Sequence, residues 1–423
     1  MGKSARFCTA LLGVVLSLSV SACAGGGGSG GSAGDGEITL SYAVWDKNQK
    51  AVMEKLGKEF SASHPGVTVK VQLTPWLDYW SKLKTVVTGG SAPDVFWMNG
   101  PNFQLYASNG VIRPLDKEIA EAEVDLNVYP KALVDLYTYE NKVYGLPKDM
   151  DTIGVWYNKK LFDAAGVKAP ADDWTWDDFR TASAALTDPA KGVYGTAAQL
   201  TSFQEYQYNT IAQAGGYVIS PDGKKSGYDD PKTIEGLRFW TDLIKKKQSP
   251  DLKTMSDTAP LQLFEAGKVA MYWGGSWNAG EFSANDYTKD KVDVAPLPKG
   301  EKRATIIHGV ANVVSAKTAH PKEAWQFVEF LGSRKAALDL GKSGPLPARD
   351  GTRQAWLDTY PQYRLQTFLD ALDYAVPFPV SKNTAAWNEA ELTHLTKAWT
   401  GEQPVGEASE DLAAAMNDLL AKE

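Results

Sequence analysis

Asp149 and Asp151 stand two residues apart in the run PKDMDT. On an extended strand that spacing puts both carboxylates on one face. Two neighbouring carboxyl groups can serve as the catalytic pair of a glycosidase. They serve equally well as acceptors for the hydroxyl hydrogens of a bound sugar, because charged acceptors make the stronger hydrogen bonds. A solvated loop is the third reading, and spacing alone leaves all three open. Other chemistry finds little support. The four histidines, His64, His308, His320 and His394, are not in metal-ligand spacing, so neither a metal nor a cofactor is expected. GKS at 341–343 lacks the upstream glycine of a phosphate-binding loop, and Ser276 is not in a G-x-S-x-G context. The expectation is a binding protein and not an enzyme.

Aromatic residues carry the stronger signal. The chain has 14 Trp and 18 Tyr, and several sit where a strand gives way to a loop beside Asp, Asn or Gly. Trp45–Asp46, Trp97–Met98–Asn99, Trp273 to Trp277 and Trp387 are of this kind. Indoles cover the apolar face of a pyranose, while carboxylates and amides grip its hydroxyl rim. Trp325, Phe327 and Phe330 share a helix with charged residues and read as core. Trp76 and Trp80 fall on one stripe with Leu83 and Val87 and read the same way.

These residues need a scaffold, and the hydrophobic periodicity supplies one. EITLSYAVW, VTVKVQL and DVFWM read as strands separated by helices, the pattern of a parallel sheet covered by helices. YGLP, IGVWYN, VAMYW, VDVAPLP and VANVVSA extend the strand set, and the last hundred residues read as helices. In VAMYWGGSW the glycine pair turns the chain, Ser276 is a candidate N-cap, and Trp277 is presented at the edge of the turn. In open α/β sheets ligands collect at that carboxyl edge of the strands.

The amino terminus reads as an export signal. Lys3 and Arg6 precede an apolar run too short for a membrane span and end at VSAC, the pattern of a cleaved signal whose Cys23 carries lipid. Residues 24–36 are a glycine and serine tether with a reach of about 20 Å. Losing residues 1–22 leaves 42 basic against 51 acidic residues, a net −9, which argues against nucleic acid and anionic lipid as partners. With Cys8 removed and Cys23 lipidated, no disulfide is available.

In order, VSAC, FSASHPGVTVKV, GGSAPDVFWMNG, YGLPKDMDTIGVWYNKKLF, LFEAGKVAMYWGGSW and PKEAWQFVEFL resemble the extracellular solute-binding proteins of carbohydrate ABC importers, the group containing maltose-binding protein. The resemblance implies an α/β periplasmic-binding-protein fold of type II, two lobes with the ligand cleft between them and a multi-segment hinge. It places 37–144 and 308–342 in one lobe, 145–304 and 343–423 in the other, with hinges near 145, 305 and 343. It implies a monomeric, lipid-anchored receptor on the outer face of a bacterial cell membrane. Such a receptor captures a mono- or oligosaccharide by cleft closure and delivers it to permease subunits. A surface glycosidase using Asp149 and Asp151, or a sugar sensor for a signalling partner, are the alternatives. Carried over residue by residue, the implied ligand contacts are Trp45, Asp46, Asp149, Asp151, Tyr206, Gly275, Trp277, His308, Arg349 and Trp387. Asn99 joins them at a position where maltose-binding proteins have an acid.

Overall fold

The β-branched run ITLSYAV and the alternating VTVKVQL form the parallel pair β1 (Ile38–Val44) and β2 (Val67–Leu73). The computed structural model describes residues 37–423, so the export signal, Cys23 and the tether lie outside the described residues. The helix α1 (Lys50–Ser63) links β1 to β2, and α2 (Trp76–Thr88) leads on to β3 (Val95–Met98), which pairs in parallel with the other side of β1. The helix α3 (Gly100–Ser108) follows β3. A small hairpin, β4 (Thr138–Tyr139) and β5 (Lys142–Val143), precedes β6 (Gly145–Pro147).

The chain then leaves this sheet to build a second one from β7 (Ile153–Asn158), β8 (Tyr194–Thr196), β9 (Val269–Gly275) and β10 (Val292–Pro296), in the order β10-β7-β9-β8. It returns through β11 (Thr305–Ile307) to β12 (Ala311–Val314), and β13 (Ala375–Pro377) later pairs with β11. β12 runs antiparallel to both β3 and β6 and completes the first sheet, β2-β1-β3-β12-β6. Every residue of β3, β7 and β9 is buried. Strands covered on both faces by helices need such continuous apolar runs. No helix of the described residues is long and apolar enough to cross a membrane.

Two aromatic positions settle differently from their neighbours. Trp273 on β9 is fully buried, edge-on to Trp240 at 4.8 Å, and belongs to the core of the second lobe. On α2 the buried face is carried by Tyr79 and Leu83, while Trp76 is 48% exposed, against the reading of its stripe as core. Positions 76, 80, 83 and 87 and positions 79, 83 and 86 are both helical stripes, and only the docking of α2 on the sheet chooses between them. In the first lobe the Trp97 indole donates to the Tyr42 hydroxyl (2.6 Å), which donates to Asn312 Oδ1 (2.7 Å). That chain ties β3, β1 and β12 together.

The passages between the two sheets bond to one another. Asp151 N donates to His308 O at 2.7 Å, and His308 N donates back to Asp151 O at 3.0 Å. Lys148 N donates to Val310 O (2.8 Å), Met150 N to Leu346 O (2.9 Å) and Ala348 N to Lys148 O (3.2 Å). Residues 148–151, 308–310 and 346–348 thus form a three-stranded crossing. Gly145, where the first hinge was expected, pairs with Val313 inside the first sheet, and the crossing starts at Lys148. A Cβ on Gly309 would stand 2.3 Å from the Asp149 carbonyl oxygen, so only glycine allows this approach. Gly309→Ala should therefore cost about 2 kcal/mol or more of folding stability through overpacking against backbone. Urea unfolding would show it as a lowered midpoint, and an unchanged midpoint would mean that the crossing yields easily.

Candidate functional site

The crossing carries the candidate carboxylates, and its hydrogen bonds decide where they point. Asp149 is 3% exposed; its Oδ1 accepts from Val310 N at 2.7 Å and its Oδ2 is ion-paired with Lys148. Lys148 is itself buried. Its ammonium also donates to Gln49 Oε1 (2.9 Å) and lies 4.1 Å over the Trp97 ring. Gln49 in turn donates to Asp46 Oδ2 at 2.7 Å, and Asp46 Oδ1 accepts from Asn48 N at 2.8 Å. A continuous polar chain therefore runs from Asp46, at the end of β1, to Asp149 in the crossing. Two of its links, Gln49 and Lys148, were not singled out in the sequence, although Lys148 stands beside Asp149 in PKDMDT.

Asp151 belongs to the second half of the site. Its Oδ1 accepts from Ser276 Oγ at 2.9 Å, which joins the crossing to the end of β9. Burial pushes its pKa well above the usual carboxylate range, and Asp149 and Glu205 push the same way; Ser276 and Lys148 oppose them. Glu205 is buried too, accepts from Tyr272 OH at 3.0 Å and from Ser202, and burial raises it to about 7. It stands next to Tyr206 in FQEYQY, where nothing in the residue types prefers the acid over the ring.

Ser276 was expected to cap the helix that follows. Instead its hydroxyl serves Asp151, and Trp277 takes the N-cap position of the helix Asn278–Ala284 with no side-chain cap bond. The half-buried Trp277 ring folds back over Gly275, where an added Cβ would lie 1.8 Å from the ring. Glycine is required there because no side chain fits beneath the indole. Asp151, Ser276, Gly275 and Trp277 are therefore brought together.

His308 joins them through the backbone pairing with Asp151. Its Nε2 accepts from Gly100 N at 3.0 Å, and burial holds its pKa down to about 4, so the ring is neutral at physiological pH. Trp45 and Asp46 directly follow β1, and Asn99 directly follows β3, all at the carboxyl edge of the parallel strands. The Asn99 carbonyl is occupied as the N-cap of α3, accepting from Asn102 N (3.3 Å) and Asn102 Nδ2 (2.9 Å), which leaves only its amide nitrogen for a ligand.

Three expected contacts point elsewhere. Trp387 is fully buried, with its indole donating to Ser381 Oγ at 2.8 Å inside the second lobe's core. Arg349 donates to Gly332 O at 3.1 Å beside Tyr129, and no bond ties it to the carboxylates. Tyr206 is buried against Trp240 at 5.1 Å, with its hydroxyl unpaired. Among the described residues no group of three or more His, Cys, Asp or Glu could hold a metal ion.

The chain belongs to the bacterial extracellular solute-binding protein family, whose model matches residues 45–338, more than half of its length. The maltotriose-binding protein of Pyrococcus abyssi is 28% identical over 320 residues, 73% of this chain and 66% of that protein. An ABC substrate-binding protein of Listeria monocytogenes, solved with cycloalternan, aligns with a TM-score of 0.85 at 27% identity, covering 91% of this chain and 99% of that one. The GacH receptor of Streptomyces glaucescens, solved unliganded and with acarbose, aligns with a TM-score of 0.81 at 25% identity, covering 91% and 99%. The fold is the two-lobed α/β fold of these binding proteins.

Glu205 yields a pH test. Its carboxyl moves from an ordinary 4.5 to about 7, so between those values the folded chain holds a proton that the unfolded chain has lost. Stability should fall as pH rises through that window, by about 3 kcal/mol in all. Glu205→Gln should match the native protein at pH 4 and melt higher than it at pH 8. Parallel melting curves at both values would show instead that Glu205 ionises without cost.

Proposed function

We propose that this protein is the sugar receptor of an ABC importer, binding its ligand where the chain crosses between the lobes. The reading rests on one observation above the rest: Ser276 holds the Asp151 carboxylate at the end of β9, and the half-buried Trp277 follows it directly in the chain. A carboxylate there accepts from sugar hydroxyls, and the indole beside it covers the ring's apolar face. Asp46 brings a polar group of the first lobe to the same edge and is tied through Gln49 and Lys148 to Asp149 in the crossing, with His308 as a neutral neighbour. Membership of the extracellular solute-binding family and the sugar ligands of the relatives support the same conclusion. Oligosaccharides of glucose are the first ligands to try, since maltotriose, cycloalternan and acarbose appear among those relatives.

Hydrolysis is the weaker reading for a physical reason. A nucleophile or base needs a free oxygen, and both oxygens of Asp149 are engaged, one by Val310 N and one by Lys148. In the receptor reading Cys23 carries the lipid that tethers the body to the outer face of the membrane. The lobe built on the first sheet and the lobe built on the second close on the sugar as a monomer, and the closed form docks on the permease.

Titration of a panel of mono- and oligosaccharides, followed by tryptophan fluorescence, tests the proposal. Saturable binding of at least one sugar without turnover is expected, and hydrolysis of the panel would overturn it. Trp277→Ala should weaken that binding more than about ten-fold, or roughly 1.4 kcal/mol, with little change in the melting temperature of the free protein. Intact affinity together with a large loss of stability would make Trp277 a core residue.

A further inference from the structure

Trp76 is the one large hydrophobic side chain exposed among the described residues, at 48%. It is not loose. Trp45 meets it at 5.4 Å and 63°, and Trp80 at 6.2 Å and 87°. Trp45 in turn stands edge-on to the fully buried Trp97 at 5.0 Å, and Tyr79 stands edge-on to both Trp45 and Trp80 at 5.0 Å. Trp76 is thus the outer ring of an aromatic array anchored in the core of the first lobe.

The array also runs toward the site. Trp76 begins α2 just beyond the carboxyl end of β2, the edge at which Trp45 and Asp46 follow β1 and Asn99 follows β3. Asp46, next to Trp45, is linked through Gln49 and Lys148 to Asp149. Glu281 and Glu265, from the part of the chain that builds the second sheet, lie within electrostatic reach of Lys47. The array therefore stands at the carboxyl edge of the first sheet, on the side of Asp46.

We propose that Trp76 is an outer stacking platform for a further ring of an oligosaccharide whose inner rings occupy the site at Asp151 and Trp277. This rests on the receptor reading and adds to it that the ligand is longer than one sugar ring and leaves the cleft over the first lobe. A protein-docking face exposes a contiguous apolar patch of some hundreds of Å². Here Trp76 is the one large hydrophobic side chain exposed among the described residues, and Lys47, Asn48 and Asp78, near it in the chain or on the adjoining strand end, are exposed and polar. An aromatic face with a polar rim has the dimensions and chemistry of a single pyranose contact.

Calorimetric titration of the native protein and Trp76→Ala with α-1,4-glucosyl and β-1,4-mannosyl oligosaccharides of one to four rings tests it. Native affinity should rise with chain length, and Trp76→Ala should remove about five-fold or more of that gain. The shortest ligand bound should keep its affinity within about two-fold, and Trp76→Phe should recover part of the loss. The melting temperature of the free variant should not move, because the ring is half exposed. A chain-length gain that survives in Trp76→Ala, a gain absent from the native protein, or an equal loss at every length overturns the platform and leaves the receptor reading standing. Failure of the native protein to bind any of these sugars overturns the platform, and failure across the whole panel of mono- and oligosaccharides overturns the receptor reading as well.

Discussion

Three passages of the chain, 148–151, 308–310 and 346–348, cross between the sheets as one hydrogen-bonded unit, and the site is built on it. Backbone bonds between Asp151 and His308 and between Lys148 and Val310 fix where the carboxylates of Asp149 and Asp151 stand. Gly309 lets these strands lie closer than any side chain would allow. In a two-lobed fold the linking segments are also where relative motion is absorbed. In the proposed receptor, carboxylates placed there would move little as the lobes close.

The electrostatics of the site follow from burial. A carboxylate taken from water is stable only if donors replace its hydration. Asp149 is given a full set in Lys148 and Val310 N, whereas Asp151 has Ser276 alone as a hydroxyl donor and Glu205 has Ser202 and Tyr272. Burial accordingly raises the pKa of Asp151 and Glu205. In the proposed receptor, sugar hydroxyls would be donors of the kind Asp151 lacks, and binding them would relieve that deficit. The neutral His308, whose Nε2 is occupied by Gly100 N, adds no competing charge.

Much of this was legible before any coordinates. Apolar alternation located the strands of both sheets, since burial on two faces demands runs such as VFWM and VAMYW. Asp151 and Trp277 were singled out in the sequence as a strand-end acid and an indole beside glycines, but Trp273, beside the same glycines, is core, so that signal does not separate cleft from core. What escaped depends on tertiary docking. Ser276 has the composition of a helix cap, but the crossing brings Asp151 to its hydroxyl and the stronger acceptor wins. Trp387 begins a helix whose rotation turns the indole inward toward Ser381. Trp76 lies on one of two overlapping stripes of α2, and the sheet selected the other. Glu205 gave no periodic signal at all, because its role comes from Tyr272 on a strand far along the chain.

The central claim is that a sugar bound at the crossing draws the two lobes together. Small-angle scattering of the protein alone and with a saturating amount of a sugar that it binds tests this most directly. The account predicts a smaller radius of gyration in the bound state. An identical scattering profile at full saturation would contradict it.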